Sequence, residues 1–280
     1  MNNFQPEQKS IETKNGKIFY FSNRPFPGRP TAVFLHGLSS NHTTWLQIME
    51  TLRGHRYNSL ALDLRGHGLS DKTKKRGLYR LSVFSDDLEI IRKKENLGDF
   101  TLVGYSFGGE VALDYAIRYP KSVSSLILLS VNQVNVLKYK GLNFFTPILY
   151  VLFNLLAFLL LWQKRKNYKY YEHQKAAGYW GSTLDGFLTM PISINLWMLS
   201  ELGKLNFGKD LHAIKVPVVL MRAKDDPFVS EAETADMAAA ISKSKIVVSK
   251  NESHFVATDS QNEVAEIILN FLKNHENSDL

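Results

Sequence analysis

Short apolar runs rich in β-branched residues recur along the chain, separated by stretches in which apolar positions return every three or four residues. The runs KIFYFS (17–22), TAVFLH (31–36), NSLALD (58–63), FTLVG (100–104), SSLILLS (124–130), VPVVLMR (216–222) and KIVVS (245–249) have the length and composition of strands, several of them buried on both faces of a parallel sheet. Helical spacing predicts helices near 43–53, 82–95, 107–118, 231–241 and 261–273. In GGEVALDYAIRYP, for instance, Val111, Ala112, Tyr115 and Ile117 recur at that spacing until Pro120 stops the pattern. Alternating strands and helices predict an α/β fold, a mostly parallel sheet with helices on both faces. One stretch breaks the rhythm. From Val131 to about His212 no buried strand is legible, and the chain turns aromatic, basic and very apolar. The predicted organisation is a core of residues 1–130 and 213–280 with a helical cap or lid inserted at 131–212.

Composition narrows this picture. At 280 residues and 44% hydrophobic content, the chain can bury a large core and lies near the upper size of one compact domain. It has no cysteine, which excludes disulfides and thiolate metal sites. The polar start MNNFQPEQKS has no apolar signal region, so a cytoplasmic location is expected. The net charge of +7 is concentrated: residues 131–212 hold nine Lys or Arg against four acids.

Candidate chemistry comes from strand ends, because parallel sheets gather functional groups at the carboxyl ends of their strands. Those ends carry HGLSS, LRGHGLSD, GYSFGG, AKDDPFVS and KNESHF. Ser, Asp and His thus stand at three strand ends, in that chain order. Ser106 sits where a buried strand turns straight into a helix, a corner that forces a strained backbone and needs Gly104 and Gly108 for close approach. A serine hydroxyl is a poor nucleophile at neutral pH and requires a base within hydrogen-bond reach.

Five ordered segments, HGLSSNHTTW (36–45), DLRGHGLSD (63–71), GYSFGG (104–109), AKDDPFV (223–229) and SHF (253–255), make the chain resemble the α/β-hydrolase superfamily, esterases and monoacylglycerol lipases in particular. The resemblance implies a catalytic triad with Ser106 on a nucleophile elbow, His254 as base and Asp226 as acid. The neighbouring Asp225 is the alternative acid, because Ala223 and Ser230 stand where similar sequences usually have Gly and Pro. It also implies an oxyanion hole from the backbone N–H groups of Leu38 and Phe107, and a structural role for His36 and His67 in their glycine loops. Serine at 106 argues against the aspartate-nucleophile branches, the haloalkane dehalogenases and epoxide hydrolases.

The implied function is hydrolysis of carboxylic esters through an acyl-enzyme, with monoacylglycerol or lysophospholipid as the sharper substrate. The alternatives are a non-lipid small-molecule hydrolase (short or aromatic ester, thioester or C–C bond), a noncatalytic ligand-binding receptor on the same scaffold, and a membrane-anchoring protein. No cofactor or metal is expected: the Arg65 loop lacks phosphate-loop spacing, and no H-E-x-x-H occurs. Nucleic acid is not expected either, since the basic residues accompany a greasy surface. Residues 142–162 run 21 positions without a charge, long enough to span a bilayer. A single crossing would separate strands of one sheet, and the next uncharged run, 186–199, is too short to return. A cap helix, either buried or in contact with an anionic membrane surface beside KRKNYKY, is the remaining expectation.

Overall fold

The computed structural model describes residues 4–135, 146–162, 186, 189–250 and 253–278. Eight strands form one sheet: β1 (Glu7–Thr13), β2 (Gly16–Asn23), β3 (Thr31–Leu35), β4 (Asn58–Leu62), β5 (Phe100–Tyr105), β6 (Val123–Leu129), β7 (Val218–Ala223) and β8 (Ser244–Ser249). Their order is β1-β2-β4-β3-β5-β6-β7-β8. β1 and β2 pair antiparallel, as do β2 and β4, and all other pairs are parallel.

The continuous apolar runs have the expected cause. In β3 every residue is buried, with Val33 and Leu35 entering one core cluster and Ala32 and Phe34 the other. Period-two geometry sends neighbours to opposite faces, and both faces are covered. Helices α1 (Leu46–Gly54), α2 (Leu81–Lys94) and α3 (Phe107–Arg118) follow β3, β4 and β5. Residues Ile48 and Leu52 of α1 pack with Val264 and Ile268 of the last helix on one face, while Leu88 of α2 and Val111 of α3 pack on the other.

Between β6 and β7 the described residues include α4 (Thr146–Leu159) and α5 (Ile192–Leu202), which pack on each other. Among the described residues this interval contributes no strand beyond the isolated bridge Val134–Asn206. The chain closes with α6 (Glu231–Ala240), the short α7 (Val256–Asp259) and α8 (Gln261–Ser278).

Two elements differ from the sequence pattern. β1, EQKSIET, is an edge strand whose side chains are exposed or half-buried, so it carries no apolar run to detect. β7 begins at Val218 rather than Val216 because Pro217 has no N–H for the ladder.

The corner at Ser106 is a tight joint. A Cβ on Gly104 would lie 2.6 Å from the Gly108 carbonyl oxygen, and one on Gly108 would lie 2.4 Å from the Leu35 oxygen and 2.5 Å from the His36 oxygen. All three contacts are to backbone, which cannot rotate away. Gly108→Ala is therefore expected to cost about 3 kcal/mol of stability, read as a lowered urea midpoint at unchanged slope. A midpoint equal to wild type would show that α3 can back away from β3 freely.

Candidate active site

The corner after β5 places Ser106 at φ 48° and ψ −121°, a left-handed conformation that costs a non-glycine residue about 1–3 kcal/mol. Hydrogen bonds on both sides hold it there. The Ser106 N–H donates to the Leu129 carbonyl at 2.9 Å, and the Ser106 carbonyl accepts from Gly109 at 2.7 Å and Glu110 at 3.2 Å. The turn after β8 brings His254 alongside, with Nε2 3.3 Å from Ser106 Oγ.

On its other edge, His254 Nδ1 lies 2.8 Å from Asp226 Oδ2 and 2.9 Å from Oδ1. The Asp226 side chain is fully buried, whereas Asp225 is exposed and lies outside this chain of bonds. Burial pushes the Asp226 carboxyl up, but the His254 hydrogen bond and charge, the Phe228 N–H and the Ser130 hydroxyl outweigh it and hold it below its ordinary range. An ionised Asp226 can only accept, so Nδ1 carries the imidazole proton and Nε2 presents its lone pair to the serine hydroxyl. The three residues that the sequence singled out therefore meet in a single line of hydrogen bonds.

Leu38 follows Gly37, whose Cβ position lies 3.5 Å from Ser106 Cβ, so this loop runs beside the serine. Phe107 opens α3, where a first-turn N–H has no intrahelical acceptor. Among the described residues neither the Leu38 nor the Phe107 N–H finds an acceptor.

Behind the loop lies a buried network. The Leu64 N–H donates to His36 Nε2 at 3.0 Å, and His36 Nδ1 donates to the Gly37 carbonyl at 2.8 Å. The Ser39 N–H donates to His67 Nε2 at 3.1 Å. His42 is fully buried, stacks on Phe21 and bonds Asp63 at 2.8 Å. Arg65 pairs with buried Asp87 at 2.6 Å, so its guanidinium is already engaged by the protein. Among the described residues no group of three or more His, Asp or Glu could hold a metal ion.

Burial lowers His36 to about 4, with Asp63 and the Gly37 carbonyl opposing the shift and His42 adding to it; burial and His36 lower His67 as well. In the unfolded chain His36 takes a proton near pH 6.5, so between 6.5 and 4 the unfolded state binds more protons. Stability is therefore full above pH 6.5 and falls as pH drops toward 4, by up to about 3 kcal/mol for this group. The expected result is a urea midpoint that falls between pH 7 and 4.5, with His36→Gln flattening part of that slope. Parallel slopes would remove His36 as its source.

Three neighbours escaped the sequence reading. Phe228 is 65% exposed and meets the His254 ring edge-on at 5.0 Å, which puts a greasy lip beside the imidazole. Tyr105 approaches the same ring at 5.7 Å. Ser130, at φ 50° just past β6, lies close enough to Asp226 to help hold its carboxyl below the ordinary range. Tyr105 and Phe228 lie in strand-end segments and Ser130 just past β6, but only three-dimensional proximity reveals what each of them meets.

A sharp turn holding a serine after a central parallel strand, with His and Asp delivered by later strands, defines the hydrolase class built on such sheets. Residues 30–260 match the alpha/beta hydrolase fold family, and the chain belongs to it. Epoxide hydrolase 4 of Homo sapiens is 24% identical over 92% of this chain and 76% of its own length. Monoacylglycerol lipase ABHD6 of Homo sapiens is 25% identical over 93% and 81%. A match to an uncharacterized protein of Mycobacterium bovis, 34% identical over 105 residues, takes in 38% of this chain and 30% of that one, so the matched part spans less than a third of that relative. Among solved structures, the thioesterase domain from the curacin biosynthetic pathway superposes with a TM-score of 0.76 at 18% identity, covering 95% of this chain and all of that one.

Proposed function

We propose that the protein is a serine hydrolase of carboxylic esters. The observation that carries this reading is the unbroken line from Ser106 Oγ through His254 to buried Asp226. Ser106 attacks the ester carbonyl while His254 Nε2 takes its proton, and Asp226 stabilises the imidazolium so formed. The Leu38 and Phe107 N–H groups meet the developing oxyanion, aided by the positive end of α3. His254 then returns the proton to the leaving alcohol, and water activated by the same nitrogen releases the acid.

The relative named as an epoxide hydrolase raises a second chemistry that Ser106 disfavours. A serine opening an epoxide would form an alkyl ether, which has no carbonyl for water to attack and would leave the enzyme blocked. A serine acyl ester is hydrolysed readily.

The substrate reading is an apolar acyl ester of the monoacylglycerol or lysophospholipid kind. It is supported by the relative named monoacylglycerol lipase, by Phe228 at the base, and by the apolar segment between β6 and β7, which in this proposal is a cap at 131–212. Labelling of purified protein with a fluorophosphonate, followed by p-nitrophenyl esters of increasing chain length, tests it. Labelling at Ser106 with faster turnover of longer chains is the expected result. Labelling with a preference for acetate would retain the esterase and remove the lipid reading, and neither labelling nor turnover would favour the ligand-binding receptor.

A further inference from the structure

The described chain leaves one large apolar surface uncovered. On α4, Ile148, Val151, Leu152, Leu155, Phe158 and Leu159 follow three- and four-residue spacing and are 43–66% exposed, and Trp162 in the next turn is 83% exposed. The opposite side of the helix is anchored. Ala157 is fully buried, Asn154 Nδ2 donates to Ser200 Oγ of α5 at 2.9 Å, and Tyr150 accepts a hydrogen bond from Arg76. A contiguous patch of this kind on a folded protein marks an interaction surface.

The rim identifies the occupant. Lys74 Nζ lies 5.3 Å over the Trp162 ring, and Arg76 and Lys204 lie 5.1 and 4.7 Å over the Tyr150 ring. Residues 72–80, KTKKRGLYR, hold five cations and no acid. An apolar helical face bordered by Lys, Arg and Trp fits the boundary between acyl chains and anionic headgroups. A second copy fits worse, because a twofold pairing of this face would bring the same cations together in a chain already at +7. The helix has 14 residues, about 21 Å at 1.5 Å per residue, against a hydrocarbon core of about 30 Å. Among the described residues no helix is long and apolar enough to cross a membrane.

We infer that α4 docks the protein on an anionic bilayer, its exposed stripe in the acyl boundary and Lys74, Lys75 and Arg76 at headgroup level. The cations belong to the segment after β4, far from α4 in sequence. α4 rests on α5, whose Asn195 accepts from Ser39 Oγ at 2.8 Å, one residue beyond Leu38. The bilayer then faces the carboxyl ends of the central strands, where Ser106 lies. Docking does not depend on Ser106 being a nucleophile.

Flotation with vesicles of phosphatidylcholine alone or mixed with phosphatidylserine tests this, using full-length wild type, Ser106→Ala, Phe158→Asp and the pair Lys74→Glu/Lys75→Glu. The expected result is binding of wild type and Ser106→Ala to the anionic vesicles, weakened by salt. Phe158→Asp and the lysine pair should each bind at least about tenfold more weakly. Circular dichroism and thermal unfolding matching wild type show that the substitutions leave the fold intact. Equal binding by the lysine variant overturns the headgroup assignment. Wild type that ignores both vesicles overturns the whole inference, and its sedimentation then tests the other occupant: self-association lost in Phe158→Asp gives the face to a second copy, and a steady monomer excludes that copy as well.

Discussion

Ser106→Ala is expected to lower kcat/KM for a p-nitrophenyl ester by about 10⁶-fold and to abolish fluorophosphonate labelling. The factor is this large because the hydroxyl and imidazole act as one unit, the second useful only as the base for the first. The double variant Ser106→Ala/His254→Ala should for that reason be no slower than either single one. Stability should move the other way. The torsions φ 48° and ψ −121° match the first central position of a type II′ turn, which glycine adopts without strain. Ser106→Gly is therefore expected to be inactive yet about 1 kcal/mol more stable than wild type, a gain of about 2–4 °C in Tm. Inactivity with no gain would mean that the Oγ–His254 contact offsets the strain. Activity within tenfold of wild type in Ser106→Ala would remove Ser106 as the nucleophile.

That corner was the most legible part of the molecule. FTLVG and the apolar spacing after it fixed β5 and the limits of α3, because a buried strand and a well-stopped helix each leave strong periodic signals. β1 left none, being polar and half-exposed at the sheet edge. The His42–Asp63 bond spans 21 positions, and nothing in HTTW or in DLRG alone points to the other. The greasy insertion was visible as composition; its basic cluster at 164–175 lies outside the described residues, and among the described residues the cations that adjoin α4 are Lys74, Arg76 and Lys204. Periodicity reports which face of an element is buried. Pairing between distant loops has no local signal, so Phe228 at His254 and Lys74 at Trp162 needed the structure.

The choice between Asp225 and Asp226, of which only Asp226 bonds His254, carries the second large effect. Asp226→Asn is expected to lower kcat about 10⁴-fold at neutral pH, while Asp225→Asn stays within about twofold. The cause is the tautomer. Asp226 Oδ1 accepts from the Phe228 and Val229 N–H groups at 2.9 and 3.1 Å, so an asparagine must keep its carbonyl oxygen there and turn its NH₂ toward His254. Facing a donor, the imidazole moves its proton to Nε2 and takes the amide hydrogen on Nδ1. Nε2 then points an N–H at Ser106 and can no longer accept the hydroxyl proton. Only the proton position changes, so the variant should keep the wild-type fold and near-normal ester binding while fluorophosphonate labelling slows in parallel with kcat. A loss confined to Asp225→Asn would move the acid role to Asp225, and equal losses in both would mean that the turn between β7 and α6 acts through its conformation rather than through one carboxylate.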